Sequence, residues 1–268
     1  MTGCVTALPD SLHVAPQQRD DYNWMARHAE VLARHTNVKP EIVFIGDSIT
    51  HQWGGEPKGH RIVGQAAWSD LFGERVVTNL GFGFDYVDNA YYRVANGELD
   101  GIAPRLIIVN IGTNNLGHRG DTAEACAANV TALLTLIRAK QPDAKILLLG
   151  IYPRREPHEI EIGDTSQIAA ASSLSDASHT NVSPRGKSLA YMILKKLYEN
   201  NPLKSSIART NELLQTLADG KQIRFTDIGQ VITGADGLAN PTYFRDVVHP
   251  NAAGYAQLAT ALRPLLDD

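Results

Sequence analysis

A serine follows an apolar run at a position where chemistry is expected. The run Ile42–Ile45 is typical of a buried strand, and it continues into the sequence GDSIT, which contains Ser48. Open parallel sheets bind ligands outside the carboxyl ends of their strands, which is where this serine is placed. Asp and Ser after a strand also form turns or cap the next helix. Ser48 is therefore a candidate nucleophile that needs partners.

A carboxylate and an imidazole stand three residues apart much later in the chain. Asp246 and His249 lie in the sequence DVVHP, just before a pattern typical of a terminal helix. On one turn of chain the carboxylate can accept one ring N–H while the other ring nitrogen faces outward, an arrangement that makes a general base. The alternative is that Asp246 only caps the start of the helix and that His249 has no functional role beside it.

Two further polar turns follow predicted strands. Asn114 lies in GTNN, directly after the apolar run Leu106–Ile111, and its amide could donate to an oxyanion, a contribution of about 3 kcal/mol. Gly81 and Gly83 lie in NLGFGFD and would let backbone N–H groups approach a ligand. This turn is not a dinucleotide fingerprint, since G-x-G-x-x-G would need glycine at Tyr86.

Taken in chain order, these segments resemble the four blocks of the SGNH, or GDSL, hydrolase family. Within it the chain is most similar to the catalytic subunits of intracellular platelet-activating-factor acetylhydrolase and their bacterial relatives. That similarity lies in WMARH near Trp24, the strand FIGDS, the segment from Arg93 into IIVNIGTNN, and LLLGIYPR ending at Arg154. It covers residues 20–154 and 205–266.

The resemblance implies a role for each matching residue. Ser48 corresponds to the nucleophile, His249 to the general base and Asp246 to the residue that orients it. Asn114 corresponds to the side-chain donor of the oxyanion hole, and the backbone N–H of Ser48 to a second donor. The resemblance implies neither a metal nor an organic cofactor.

The chain departs from the family at Phe84, where a glycine usually donates its backbone N–H to the oxyanion. Phenylalanine keeps the N–H but is penalised if the turn needs positive φ. We therefore expect either a reshaped turn or strain taken by Gly83, and we include both residues among the oxyanion-hole candidates. The Phe84 ring would also narrow the pocket for the acyl group of the substrate and so favour short acyl groups. The alternative is that the ring only packs against its neighbours and has no role in substrate selection.

Alternating strand and helix patterns must position these residues. Helical periodicity covers residues 22–36, with Met25 on the apolar face, and Ala123–Lys140. The alternation predicts a parallel α/β sheet flanked by helices, and the resemblance implies a flavodoxin-like three-layer α/β/α sandwich with a five-stranded parallel sheet. The predicted strands are Ile42–Ile45, Arg75–Asn79, Leu106–Ile111, Lys145–Ile151 and Gln222–Asp227.

One segment interrupts this alternation. We expect residues 1–268 to form a single domain with an insertion at about 155–204, which is rich in Ser, Ala and Thr before a helical pattern. Such a segment is either a surface excursion or a lid or oligomer contact.

The amino-acid composition of the chain limits the classes of partner that it is expected to bind. With 25 Lys and Arg against 29 Asp and Glu, the net charge is −4, which disfavours nucleic acid as the main partner. No apolar run approaches the roughly 18 residues of a membrane span, and no secretory signal is readable, which leaves a cytoplasmic or a mature secreted protein. Cys4 and Cys126 have no metal-ligand spacing.

The family resemblance, together with these residues, implies a serine esterase. We expect it to hydrolyse small-molecule esters with short acyl groups, acetyl above all, on O-acetylated carbohydrate or lipid, through an acyl-enzyme. A homodimer would agree with the resemblance. A noncatalytic interaction protein that retains the fold is the main alternative. A flavodoxin-like cofactor binder is disfavoured, because Asp47 after the first strand would repel phosphate.

Overall fold

Five short apolar strands form one parallel sheet. The computed structural model describes residues 7–155 and 202–267, and within them the strand order is β2-β1-β3-β4-β5. The register pairs Ile45 of β1 with Leu80 of β2 and Val109 of β3, so the carboxyl ends of the three strands align. The strands are β1 (Ile42–Gly46), β2 (Val77–Gly81), β3 (Leu106–Asn110), β4 (Lys145–Leu149) and β5 (Ile223–Thr226).

Helices cover both faces of this sheet, which confirms the predicted α/β class. Short π-helical and 3-10 turns lie between several of them. The helices of the described residues are α1 (Trp24–Asn37), α2 (Ser48–His51), α3 (Gln65–Phe72), α4 (Val87–Arg93), α5 (Ala123–Lys140), α6 (Pro202–Gln215) and α7 (Ala252–Leu262).

Alternate residues of each strand feed two separate cores. Ile45 and Val109 belong to the core shared with α1, α4, α5 and α6, while Phe44 and Ile108 belong to the core shared with α3 and α7. All four side chains are at most 1% exposed, and burial of each contributes about 1.5–3 kcal/mol. Because both faces of β1, β3 and β4 are buried, these three strands are almost continuously apolar, which is what made them recognisable.

Strand β2 begins and ends two residues later than the predicted Arg75–Asn79. Arg75 lies outside the sheet, where it donates to Asp267 at 2.9 Å. Leu80 and Gly81, which the sequence pattern assigned to a turn, instead pair with β1. Strand β4 likewise ends two residues before the predicted Ile151.

Helix α5 has the predicted bounds, but the buried face of α1 differs from the prediction. Met25 is 47% exposed, whereas Arg27 is only 5% exposed. Arg27 is buried because its guanidinium donates to the carbonyl oxygens of Gly81 at 2.9 Å and Asn79 at 3.2 Å. A buried arginine that binds backbone carbonyls cannot be read from hydrophobic periodicity.

Most of the predicted insertion, residues 156–201, lies outside the described residues. Helix α6 begins at Pro202 and therefore inside the predicted bounds. None of the described helices is long and apolar enough to cross a membrane.

Candidate active site

Ser48 is the first residue of helix α2, directly beyond strand β1. The carboxylate of Asp47 caps this helix by accepting the N–H of Ile49 at 2.9 Å. Asp47 is fully enclosed, and burial raises its pKa to about 6. Helix α2 lies so close to β2 that a Cβ on Gly81 would collide with the backbone of His51. The glycine therefore allows the strand and the helix to hold Ser48 at the sheet edge.

Asp246 and His249 meet Ser48 across a sequence separation of 201 residues. The Nε2 atom of His249 lies 2.9 Å from the Ser48 Oγ, and its Nδ1 lies 2.9 Å and 3.0 Å from the two carboxylate oxygens of Asp246. Asp246 also accepts the N–H of Val248 at 3.0 Å and of His249 at 2.7 Å. The structure therefore brings the three predicted residues into one hydrogen-bonded chain.

The charge of Asp246 sets the tautomer of His249. Partial burial alone would raise the pKa of Asp246, but hydrogen bonds from the His249 ring and from two backbone N–H groups outweigh it and hold that pKa well below its usual range. An ionised carboxylate only accepts hydrogen bonds, so Nδ1 carries the proton. Nε2 is then free to accept the hydroxyl hydrogen of Ser48, which is the geometry of a general base facing a nucleophile.

The turn between β2 and α4 differs from both sequence-based expectations. Phe84 itself adopts the left-handed conformation, with φ of 69°, and Gly83 has no positive φ. The N–H of Gly83 donates to the His51 Nδ1 at 3.0 Å. The predictions that Gly83 takes the strain and serves as an oxyanion donor are therefore wrong, because a backbone N–H has one hydrogen to donate and this one is already bound.

Contacts on both sides hold Phe84 in this conformation. Its ring lies edge-on to His118, with centroids 4.3 Å apart, and the guanidinium of Arg19 lies 4.3 Å above it. On the other side, the buried Asp85 carboxylate accepts from the Trp24 indole at 2.7 Å and from Arg93 at 2.8 Å. The turn is thus fixed by packing and by a buried ion pair, which offsets the cost of a non-glycine residue at positive φ.

Three N–H groups remain free to donate near Ser48. The amide of Asn114 gives one hydrogen to the backbone oxygen of Asp85 at 3.0 Å and keeps a second. In residues 7–155 and 202–267, the backbone N–H groups of Ser48 and Phe84 have no hydrogen-bond acceptor. Ser48, Phe84 and Asn114 all line one cavity.

That cavity has a volume of about 820 Å³, within the usual range of roughly 300–1,000 Å³ for small-molecule sites. Its lining combines the hydrogen-bonded chain with several charged and aromatic side chains. Besides Ser48, Asp246 and His249, the described lining includes Arg19, Asp21, Gln52, His60, Arg61, Gly83, Phe84, Asn114, Gly117, His118, Arg154, Arg245, Val247 and Val248.

The sequence patterns missed two residues that support the site. Burial, reinforced by the nearby Arg27, lowers the pKa of His51 to about 2, so the ring is neutral and its Nδ1 accepts from Gly83. The Tyr255 hydroxyl donates to the Ile49 carbonyl at 2.7 Å and ties α7 to α2. Neither contact has a sequence signal, because the partners lie 32 and 206 residues apart.

A family model for the GDSL-like lipase and acylhydrolase family matches residues 44–257. The chain belongs to this family. Membership confirms the resemblance inferred from the four sequence blocks and makes the chain an acyl ester hydrolase. The match includes β1 from Phe44 onward, all of β2 to β5, and every residue of the hydrogen-bonded chain.

Individual relatives are similar over nearly the whole chain. Platelet-activating factor acetylhydrolase IB subunit alpha1 of Bos taurus is 27% identical over 248 residues, which cover 92% of this chain and 83% of the relative. A Streptococcus pneumonia protein described as a candidate platelet activating factor has a similar structure, with TM-score 0.62, 21% identity, and 90% and 94% of the two chains covered. A carbohydrate acetylesterase family member from Sinorhizobium meliloti has TM-score 0.53, 19% identity, and 84% and 96% covered.

Proposed function

We propose that this chain is a serine esterase that removes short acyl groups, acetyl above all, with Ser48 as nucleophile, His249 as general base and Asp246 as the residue that orients the base. The observation that carries the proposal is the 2.9 Å approach of the His249 Nε2 to the Ser48 Oγ, with the other ring nitrogen held by Asp246.

The reaction follows from this geometry in two halves. As the Ser48 Oγ bonds to the ester carbonyl carbon, its proton passes to the His249 Nε2, and Asp246 stabilises the imidazolium. The tetrahedral intermediate collapses when the bond from carbon to the alcohol oxygen breaks, and His249 returns the proton to the departing alcohol. Water then attacks the acyl-enzyme with the same base, which releases the acid and restores Ser48.

The oxyanion that forms in each half needs donors aimed at one point. The free hydrogen of the Asn114 amide and the backbone N–H groups of Ser48 and Phe84 fill this role. Loss of one such donor typically costs about 3 kcal/mol of transition-state stabilisation. The strained turn is then functional, because it leaves the N–H of Phe84, a cavity-lining residue, without an acceptor among the described residues, while the N–H of Gly83 is held by His51.

Two considerations favour an acetyl ester of a carbohydrate or a lipid. The Phe84 ring lines the cavity that contains Ser48, and its bulk leaves less space for a long acyl chain. Acetyl esters are also named in two relatives, the platelet-activating factor acetylhydrolase subunit and the carbohydrate acetylesterase family member. The first name suggests a lipid acetyl ester and the second an O-acetylated carbohydrate.

A fluorophosphonate probe combined with an ester assay tests the proposal. Wild type is expected to be labelled and to hydrolyse 4-nitrophenyl acetate faster than longer esters. Ser48→Ala is expected to lose labelling and at least about 10³-fold in kcat while keeping its melting temperature. Ser69→Ala, which changes an exposed serine on α3, is the matched control. Labelling retained by Ser48→Ala, or a folded wild type that neither labels nor hydrolyses esters, would refute the proposal and favour a noncatalytic protein.

A further inference from the structure

Among the described residues, the charged side chains that line the cavity are mostly positive, whereas the net charge of the whole chain is negative. The net charge of the chain is −4, yet the described residues that line the cavity include more arginines than carboxylates. These are Arg19, Arg61, Arg154 and Arg245 against Asp21 and Asp246. A cleft lined by one sign of charge concentrates ligands of the other sign.

Ion pairs occupy both of the aspartates. Arg19 donates to Asp21 at 2.9 Å, and the Nε of Arg245 lies 3.3 Å from Asp246. Arg61 is exposed at the cavity and, within the described part of the chain, has no ion-pair partner. Its guanidinium can therefore bind a ligand without first breaking a protein contact.

Neighbouring groups add hydrogen-bond donors to the wall of this cavity. Arg154 is 8% exposed and donates to the Thr113 backbone oxygen at 3.1 Å and to its hydroxyl at 3.3 Å. His60 and His118 also line the cavity and offer ring N–H donors.

We propose that the site selects esters whose alcohol part carries a carboxylate or phosphate, with Arg61 as its main contact. The planar guanidinium donates two parallel hydrogen bonds to either group. The charge is placed on the alcohol because the acyl group is short. This inference rests on the proposed esterase function and adds the substrate class.

The test compares three acetyl esters of similar size on the intact protein. They are 3-acetoxybenzoate, 3-acetoxyphenyl phosphate and the uncharged 3-acetoxybenzamide, with each kcat/KM divided by the rate of hydrolysis by hydroxide to remove differences in intrinsic reactivity. At low ionic strength, at least one anionic ester is expected to exceed the amide by about tenfold, mainly through KM, and added salt should shrink the difference. The better anion identifies the group that is recognised.

Two arginine variants assign the preference to the cavity. Arg61→Gln is expected to lose most of the advantage in normalised kcat/KM that wild type has for the anionic esters over the neutral amide. Arg138→Gln, at an exposed arginine of α5 that lies 3.4 Å from Asp219, should keep the ratio of wild type. Equal rates on all three esters, or a ratio unchanged by Arg61→Gln, would overturn the inference and leave the esterase intact. Failure to hydrolyse even 4-nitrophenyl acetate would instead overturn the proposed function, and the inference with it.

Discussion

Phe84 combines a strained backbone with a large side chain at the wall of the cavity. A non-glycine residue in the left-handed region costs about 1–2 kcal/mol, and here φ is 69°. The ring contacts with His118 and Arg19 offset part of that cost. The two proposed roles of Phe84 can therefore be tested separately: the ring is proposed to limit the space for the acyl group, and the backbone N–H to donate to the oxyanion.

Replacing Phe84 with glycine should widen acyl selectivity. Phe84→Gly keeps the N–H and relaxes the turn but removes the ring, so we expect the kcat/KM ratio of 4-nitrophenyl butyrate to acetate to rise about tenfold. Phe84→Tyr, which keeps a ring of the same width, is the control. A ratio in Phe84→Gly equal to that of wild type would show that the ring merely packs.

Asp246 acts through His249 in the proposed mechanism. Asp246→Asn replaces an acceptor-only group with one that can donate, which favours the wrong tautomer of the ring. We expect kcat to fall by about 10²–10⁴-fold with little change in melting temperature. The control, Asp100→Asn, alters an exposed carboxylate paired with Lys140 at 2.8 Å. A loss smaller than a few-fold would count against the orienting role.

At the scale of elements, α2 and the turn after β2 are joined through a neutral histidine. Nδ1 of His51 accepts the Gly83 N–H, while its buried Nε2 has no hydrogen-bond partner among the described residues. Protonation of the His51 Nδ1 would place an N–H donor opposite the N–H of Gly83, and two donors cannot form a hydrogen bond. The contact therefore requires the neutral ring, in agreement with a pKa lowered to about 2.

Burial of the neutral His51 ring, which lowers its pKa, makes stability depend on pH in a predictable direction. Below pH 6.5 the unfolded chain protonates His51 while the folded protein does not, so stability is full above 6.5 and falls as pH drops towards about 2. His51→Asn keeps an acceptor without the titration. The test measures the unfolding free energy of both proteins with urea at pH 7, 6 and 5. As the pH is lowered, the value for His51→Asn is expected to fall less steeply than that of wild type, and the two slopes should differ by up to about 1.4 kcal/mol per pH unit. Parallel curves for the two proteins would contradict this assignment.

At the scale of the molecule, the sequence predicted the sheet and its catalytic edge, because both follow from short-range patterns. Strands β1, β3 and β4 are largely apolar since both of their faces are buried, and polar residues after strands converge at one edge. Asp246 and His249 were readable because they are three residues apart. The φ of Phe84 and the contact of His51 with Gly83 were not, since each depends on how distant segments approach.

Tyr255 links the two ends of the site. Its hydroxyl donates to the Ile49 carbonyl, one residue beyond Ser48, and it belongs to the helix that follows His249. Tyr255→Phe leaves that buried carbonyl without its donor, so we expect a loss of about 1–3 kcal/mol in unfolding free energy. Thr260→Val, on the exposed side of the same helix, serves as control. Equal urea midpoints for Tyr255→Phe and wild type would argue against the link.

The order of the residues along the chain has a consequence for biosynthesis. The last strand ends at Thr226, so a growing polypeptide emerging from the ribosome has all five strands before it has Asp246 or His249. A product that ends before Asp246 also lacks α7, which completes one of the two cores of the sheet, so we expect it to lose both the proposed base and part of the packing that stabilises the sheet. Premature termination is therefore expected to give an unstable chain rather than a folded one with an unpartnered Ser48.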